Sequence, residues 1–332
     1  MLGGIWLKFF NRGQASQFNS TAKFDGISIK DFAKSLKGMV SRKEYLMTMW
    51  SFAGYFIIWL ALTGIGFYFA YTMLASLSMS LMYIMYGMMS MTSLLLVLLE
   101  LLVVLFLVVA VGFLFMCLVV AVQFGYQDRI NDENKQLTPS SIWQRFKHVR
   151  KNQLLRLCLY SGLFIFLWQL PLKVVATIWA SNKIVAMTCL IVNDIIVVWK
   201  GLQYSQALYL YRYKQPAFLG QSMRHALTVS KRYMAGFKFN LLLVEILFIY
   251  LPVVVWGALT GGLAYYGEYT ATNPLIWIGA VLFVLGYAAM MPYMTMVSAL
   301  YFEKTKAKIK VDGLYVDTFK PVEELTGEAF KD

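Results

Sequence analysis

Three ionisable residues, Asp194, Lys200 and Glu245, lie inside long apolar segments of the chain. A charge at the centre of a membrane helix costs about 2.5–3.5 kcal/mol on insertion scales, so such residues are candidates for function. Lys200 precedes Arg212 by about 12 residues, which at ~1.5 Å per residue predicts a depth of about 18 Å, near the midplane. Glu245, on another helix at comparable depth, is the expected ion-pair partner of Lys200.

Further polar side chains are expected to share this interior. They are Gln169, Gln203, Gln206 and Asn240. Asp194 and Lys200 are separated by about 120° around one helix, so they are poor partners for each other. Two interpretations remain open. The polar residues either fix helix register by packing or line a path through the membrane.

Sequence motifs of enzymes are not found in the chain. His148 and His225 lie in separate basic segments, and the patterns of metalloproteases, phosphate loops and dinucleotide-binding folds are missing. The cysteines show neither disulfide nor ligand spacing and are interpreted as small core residues. They are Cys117, Cys158 and Cys189. The chain is therefore expected to be no enzyme and to need no cofactor.

A run of methionines recurs at a spacing of three residues. It contains Met79, Met82, Met85 and Met88. Thioether groups can select copper(I), so a metal-handling stripe is one interpretation. No histidine or cysteine accompanies the run, which favours a pliable apolar face and no metal site.

The arrangement of basic residues predicts how these groups are positioned. Lysines and arginines cluster in four blocks: the N-terminus to Lys43, Arg129–Lys151, Arg212–Lys238 and the tail from Lys304. Each apolar interval between blocks exceeds one crossing of about 20 residues and suits two. Because short loops rich in Lys and Arg stay in the cytoplasm, the pattern predicts an all-α polytopic protein with six transmembrane helices in three hairpins and both termini cytoplasmic.

These crossings divide the chain into a cytoplasmic N-terminal segment (1–44), a membrane domain (45–303) and a cytoplasmic tail (304–332). The expected spans are 45–72, 97–124, 153–180, 184–211, 238–263 and 275–302. The Met-rich stretch 73–96 is apolar enough for a seventh helix. A seventh crossing would carry the block Arg129–Lys151 outside, so the stretch is expected to form a segment on the outer face.

A short amphipathic segment precedes each hairpin, at 27–42, 140–151 and 217–235. Helices with a basic polar face lie along the membrane surface, so these are expected to face lipid headgroups from the cytoplasm. Their basic residues include Lys34, Lys37, Arg145, Lys147, Lys151, Arg224, Lys231 and Arg232. Gly38 and Gly236 are expected to cap the first and third helix. Surface helix plus hairpin, repeated three times, predicts a pseudo-threefold arrangement.

Several short motifs resemble a bacterial integral-membrane family known as domain of unknown function 975. They are Ala33–Gly38, Trp199–Tyr209, Ala226–Gly236, Met291–Tyr293 and Ala299–Glu303. The resemblance covers most of residues 30–303. Members usually carry a Pro-Gly pair where this chain has Ile196–Val198, which leaves the bend expected there open. The family has no established activity, so the resemblance implies the architecture and leaves the mechanism open.

The leading functional expectation is a non-catalytic module of the bacterial plasma membrane. It would serve as an accessory, scaffold or assembly factor that engages the phospholipid bilayer or another membrane protein. The net charge of +13 lies beside the spans, so anionic lipid headgroups, and not nucleic acid, are the expected counterions. The second expectation is a transporter or conduit for a small solute, ion or peptide through the polar interior around Lys200 and Asp194. The third is a lipid-modifying membrane enzyme.

Overall fold

The computed structural model describes residues 27–39, 42–86, 91–132, 135, 137–179, 181–213 and 222–306. Within these ranges every regular element is helical. Six segments are long and apolar enough to cross a membrane, as predicted. They are Tyr45–Tyr83, Leu94–Asn131, Lys151–Ile178, Lys183–Tyr213, Lys238–Tyr269 and Asn273–Lys306. By length and composition the chain is a multi-pass membrane protein. Its tail beyond 306 lies outside the described residues.

The helices are numbered along the chain. They are α1 (Ile29–Met39), α2 (Arg42–Met85), α3 (Met91–Asn131), α4 (Pro139–His148), α5 (Lys151–Ile178), α6 (Lys183–Tyr204), α7 (Ala207–Tyr213), α8 (Arg224–Tyr233), α9 (Lys238–Glu245), a π-helical turn (Ile246–Tyr250), α10 (Leu251–Tyr269) and α11 (Asn273–Lys306).

The Met-rich stretch differs from the sequence expectation. Helix α2 runs without interruption to Met85, and α3 begins at Met91, so the expected segment 73–96 is divided between the two helices. The physical reason is composition: the stretch contains good helix formers and no glycine or proline before Gly87, so nothing ends the helix earlier. The two helices pack against each other as a long hairpin.

The chain divides into two compact units. Of the described residues, the first unit holds 27–29, Arg156–Leu243 and 304–306, and the second holds those within Lys30–Leu155 and Val244–Glu303.

An aromatic cluster forms the core of the second unit where α2 meets α3. Phe52 and Phe56 are buried, and both rings lie against Phe115. Trp59 stacks on the same ring with centroids 4.4 Å apart. Stacked and tilted aromatic pairs add about 0.5–1.5 kcal/mol to the burial of their area. These rings therefore set the register of the first hairpin.

Glycines allow α10 and α11 to approach closely in the same unit. Gly286 lies directly against the Trp256 ring, whose Nε1 donates to the Leu282 carbonyl oxygen at 3.1 Å. Gly279 faces the backbone of α10 so closely that a Cβ atom would lie 2.8 Å from the Thr260 carbonyl oxygen. Small residues at such contacts are the usual means of packing membrane helices.

In the first unit, α8 is embedded in the protein. Its apolar face is buried at Leu227 and Val229. Ser230 Oγ donates to the Gln203 carbonyl oxygen at 2.7 Å, and the hydroxyls of Tyr233 and Thr305 lie 2.6 Å apart. Since two buried hydrogen bonds tie the C-terminal half of α8, this helix holds α6 and the end of the last span in place.

Candidate functional site

Lys200 lies on α6, four residues before the helix ends at Tyr204. Its side chain is buried, with 8% of the residue exposed. The Nζ atom lies 3.9 Å from the centre of the Trp168 ring and 3.4 Å from Gln203 Oε1. A desolvated ammonium group over an indole ring gains about 2 kcal/mol or more, which helps to offset its burial.

Lys238 approaches the same glutamine from the first residue of α9. Its Nζ atom lies 4.1 Å from the centre of the Trp199 ring. When the Gln203 amide is turned, its oxygen accepts from Lys238 Nζ at 2.8 Å and from Trp199 Nε1 at 2.9 Å. Two ammonium groups and one indole N–H therefore converge on a single side-chain amide. We name Lys200, Gln203, Trp199 and Lys238 the lysine cluster.

This arrangement places Lys200 beside the start of another span. Lys238 is the first residue of the span Lys238–Tyr269, and both lysines reach the amide of Gln203. Lys200 itself belongs to the span Lys183–Tyr213, and its depth in the membrane stays a prediction.

The lysine cluster is strongly positive. Lys231 and Lys238 both lie close enough to Lys200 for their charges to repel its ammonium group. Within the part of the chain that the structure describes, none of these three lysines has a carboxylate within 4.0 Å. Lysines that converge in this way, with no carboxylate of the described residues beside them, favour the binding of an anion.

The remaining polar candidates of the first unit do not gather around Lys200. Asp194 is exposed on α6 and is contacted by Asn193 Nδ2 at 3.5 Å. Asn240 Nδ2 donates to the Ile27 carbonyl oxygen at 3.1 Å. Gln206 is buried and donates to Ser205 Oγ at 3.2 Å. Gln169 on α5 is half-buried. Of the predicted set, the structure brings together only Lys200 and Gln203.

Glu245 belongs to the second unit, where it immediately precedes the π-helical turn. Its side chain is half-buried. Pro252, the second residue after the turn, lacks the N–H that a regular helix would need there. The pairing of Glu245 with Lys200 stays a prediction.

The basic residues expected to face lipid divide into three groups. Five are exposed, and Lys151 and Arg232 are half-buried. The exposed ones are Lys34, Lys37, Lys147, Arg224 and Lys231. Arg145 corrects the expectation, because its Nε atom pairs with Asp128 Oδ2 at 3.1 Å and only 22% of its side chain is exposed. The carboxylate on α3 turns this guanidinium group inward, away from the polar face of α4.

Helix α4 and the start of α5 combine basic with aromatic side chains. Trp143 is 42% exposed and stacks on Phe146, with ring centroids 5.1 Å apart. Lys147 Nζ lies 5.8 Å from the centre of the Trp143 ring, and Lys151 Nζ lies 4.6 Å from that of Phe146. We name these four residues the basic–aromatic surface. Tryptophan beside lysine is typical of the membrane–water interface.

The described methionines of the stripe are exposed along α2. Met79, Met82 and Met85 have 56%, 58% and 86% of their surface exposed, while Met88 lies outside the described residues. Exposed thioethers on a helix of this length form an apolar face, and copper binding by the stripe stays a prediction.

Sequence reasoning did not identify three members of this region. Trp168 was placed only within a span, Trp199 only in a span and in the motif Trp199–Tyr209, and Lys238 only at the end of a basic block. Two features of the sequence could have identified them: Trp199 directly precedes Lys200 in the chain, and Lys238 is the first residue of a span. A comparison of the chain with models of protein families, with curated proteins and with solved structures finds no match.

Proposed function

We propose that the chain is a non-catalytic module of the bacterial plasma membrane that engages anionic lipid headgroups and serves as an accessory, scaffold or assembly factor. In this proposal the basic ends of the hairpins and both termini are cytoplasmic. A short helix precedes each of the three hairpins, which surround a pseudo-threefold axis. The support is the distribution of Lys and Arg together with the resemblance to the bacterial family described above.

The observation that carries the proposal is the basic–aromatic surface. Trp143 offers an exposed ring with a polar N–H, which suits the headgroup region of a bilayer. Cation–π contacts hold the ammonium group of Lys147 beside the Trp143 ring and that of Lys151 beside the Phe146 ring. Each lysine near an anionic leaflet gains about 1 kcal/mol. A surface of this kind anchors a protein at one level of the membrane without any reaction.

The geometry gives less support to a conduit. A conduit needs polar groups that follow one another along the membrane normal, whereas Asp194, Gln206 and Asn240 each have separate surroundings in the first unit. It also gives less support to a lipid-modifying enzyme, which needs an acid and a base at one place. Lys200 is surrounded by a glutamine, an indole ring and other lysines.

The test compares the lipids that copurify with variants of the full-length protein. Lys147→Gln combined with Lys151→Gln removes the charges of the basic–aromatic surface. Lys173→Gln is the matched control, since Lys173 also lies over a ring, that of Phe166 at 5.5 Å, but belongs to the other end of α5 and to the first unit. Each protein is extracted in a mild neutral detergent, and bound phospholipid classes are counted by mass spectrometry.

We expect the unsubstituted protein and Lys173→Gln to be enriched in phosphatidylglycerol or cardiolipin relative to the parent membrane, and the double variant to lose most of that enrichment. Lipid of bulk composition in all three proteins would refute the proposed engagement. An enrichment that the double variant retains would show that the basic–aromatic surface does not carry it.

A further inference from the structure

The geometry points to a binding site for a phosphate monoester at the lysine cluster of the first unit, with the headgroup of phosphatidic acid as its source. This inference goes beyond the proposed function, because it rests on α6, α8 and α9 and not on the basic–aromatic surface of α4.

The first argument is an excess of hydrogen-bond donors. With its oxygen toward Lys200, the Gln203 amide turns its NH2 group toward Lys238 and Trp199; with its oxygen toward those two, it turns the NH2 group toward Lys200. In either orientation one ammonium group faces another donor. A lysine offers three donors and no acceptor. An additional acceptor group at this place satisfies the donors that the amide cannot.

The second argument is charge. Lys200 and Lys238 both reach the Gln203 amide, and the described residues supply no carboxylate within 4.0 Å of either lysine. Bringing like charges together in a poorly solvated place is unfavourable unless an opposite charge joins them. A phosphate monoester carries about −1.5 to −2 charges at neutral pH and three strong acceptor oxygens. It matches both the charge and the donors of the lysine cluster better than a carboxylate.

The third argument is position. Lys238 is the first residue of the candidate span Lys238–Tyr269, so the lysine cluster lies beside the start of that span. Trp199 is 52% exposed beside it, and an indole at this level is typical of the lipid headgroup region. Ser230, hydrogen-bonded to the Gln203 carbonyl oxygen, fixes the glutamine backbone from α8. The site is therefore rigid on the protein side and accessible from the lipid side.

The test measures binding by calorimetry with the full-length protein in a neutral detergent. Three soluble probes are titrated separately: dihexanoyl phosphatidic acid, inorganic phosphate and dihexanoylglycerol, which has the same chains without phosphate. The variants are Lys200→Met, Lys238→Gln and Trp199→Phe, and Lys173→Gln is the control from the same unit. Lys238 is only half-buried, so we expect Lys238→Gln to fold. It therefore tests the site even where the buried substitution Lys200→Met prevents folding.

We expect the phosphatidic acid to bind and the glycerolipid not to bind. Lys200→Met and Lys238→Gln should each weaken binding about tenfold or more, Trp199→Phe by a smaller factor, and Lys173→Gln by less than about twofold. Inorganic phosphate that binds more weakly than the lipid identifies a headgroup site, and equal affinity identifies a free-phosphate site; both outcomes support a phosphate site.

The inference is overturned if neither phosphate-bearing probe binds, if the glycerolipid binds equally well, or if folded Lys238→Gln binds as the unsubstituted protein does. The double variant Lys147→Gln/Lys151→Gln separates this result from the proposed function. It should retain phosphatidic acid binding at the lysine cluster even where it loses copurifying anionic lipid.

Discussion

Gly279 on α11 faces the Thr260 carbonyl oxygen on α10 with no room for a side chain between them. A Cβ atom at Gly279 would lie 2.8 Å from that oxygen and 3.0 Å from the backbone nitrogen of Ala264. Backbone atoms on a packed helix cannot move aside as a flexible side chain can. The contact therefore determines how closely the two helices approach.

Gly279→Ala should lower the free energy of unfolding by about 1–3 kcal/mol, the usual range for overpacking. Gly262→Ala is the matched control on α10, because a Cβ atom there meets nothing within 4 Å. It should leave stability unchanged or raise it, since alanine favours a helix over glycine. Unfolding by sodium dodecyl sulfate in mixed micelles measures both variants. Equal stability of the two would contradict the close approach of α10 and α11.

A second prediction concerns the ion pair between Arg145 and Asp128. Only 22% and 26% of these side chains are exposed, and the Nε–Oδ2 distance is 3.1 Å. A double-mutant cycle with Arg145→Gln and Asp128→Asn should give a coupling free energy of about 1 kcal/mol or more. The pair Lys135–Asp132, at 3.8 Å with side chains 55% and 44% exposed, should couple near zero. Similar values for the two pairs would show that Arg145 is solvated.

The turn between α10 and α11 makes a third prediction possible. Ala271 has a φ angle of 53°, in the left-handed region that a Cβ atom disfavours. Ala271 is exposed, so its substitution changes little besides the backbone. Thermal stability should follow the order Gly, Ala, Val at this position, with Ala271→Gly gaining up to about 1 kcal/mol. A valine variant as stable as the glycine variant would show that the turn is not left-handed.

A fourth prediction is a pH dependence of stability from His225, which lies between two spans. Burial lowers the pKa of its imidazole below the usual value of 6.5, and the neighbouring Arg224 lowers it further. The unfolded chain therefore binds the proton more readily than the folded chain. Stability should be complete above pH 6.5 and should fall as the pH drops below that value.

The measurement is the midpoint of thermal unfolding between pH 5 and pH 8. His225→Gln should flatten the decline on the acidic side. His148→Gln is the control, because the ring of His148 is exposed at the end of α4. A decline that is unchanged in His225→Gln, or that appears on the alkaline side, would contradict the assignment.

The number of crossings could be predicted from the sequence because it depends on hydrophobic length and on the position of Lys and Arg. The position at which each helix ends could not be predicted in the same way. The stretch Met73–Met85 is apolar whether it forms its own element or continues α2, and the rule for loop charges concerns only which side a loop occupies. The structure resolves this by the absence of any helix-breaking residue before Gly87.

The two predicted glycine caps have different outcomes. Gly236, with a φ angle of 88°, follows α8 in the left-handed conformation, as predicted. The parallel prediction for Gly38 is wrong, since α1 continues through it to Met39. Similar local sequences end differently because the surrounding chain decides whether the helix continues.

The lysine cluster was beyond prediction for a further reason. Lys200 and Lys238 are 38 positions apart in the chain, and no periodicity relates residues on different helices. Lys200 and Gln203 share α6, and packing of α8 against α6 brings Lys238, at the start of the following helix α9, to the same glutamine. Gln203 itself was predicted as a polar interior residue, and its partners became visible only with the helices in place.

The first hairpin has a consequence for the membrane around it. The helices of its two candidate spans, 39 and 38 residues long, extend over about 58 Å, while a bilayer core is about 30 Å thick. Even at a tilt of about 40°, the upper end of the observed range, roughly 13 residues of each helix exceed the hydrocarbon. The hairpin is thus longer than the hydrocarbon core of a typical bilayer. The part of each helix that exceeds the core must either thicken the surrounding lipid or extend beyond it. Reconstitution in membranes of graded acyl length distinguishes the two, by the bilayer thickness at which the protein is most stable.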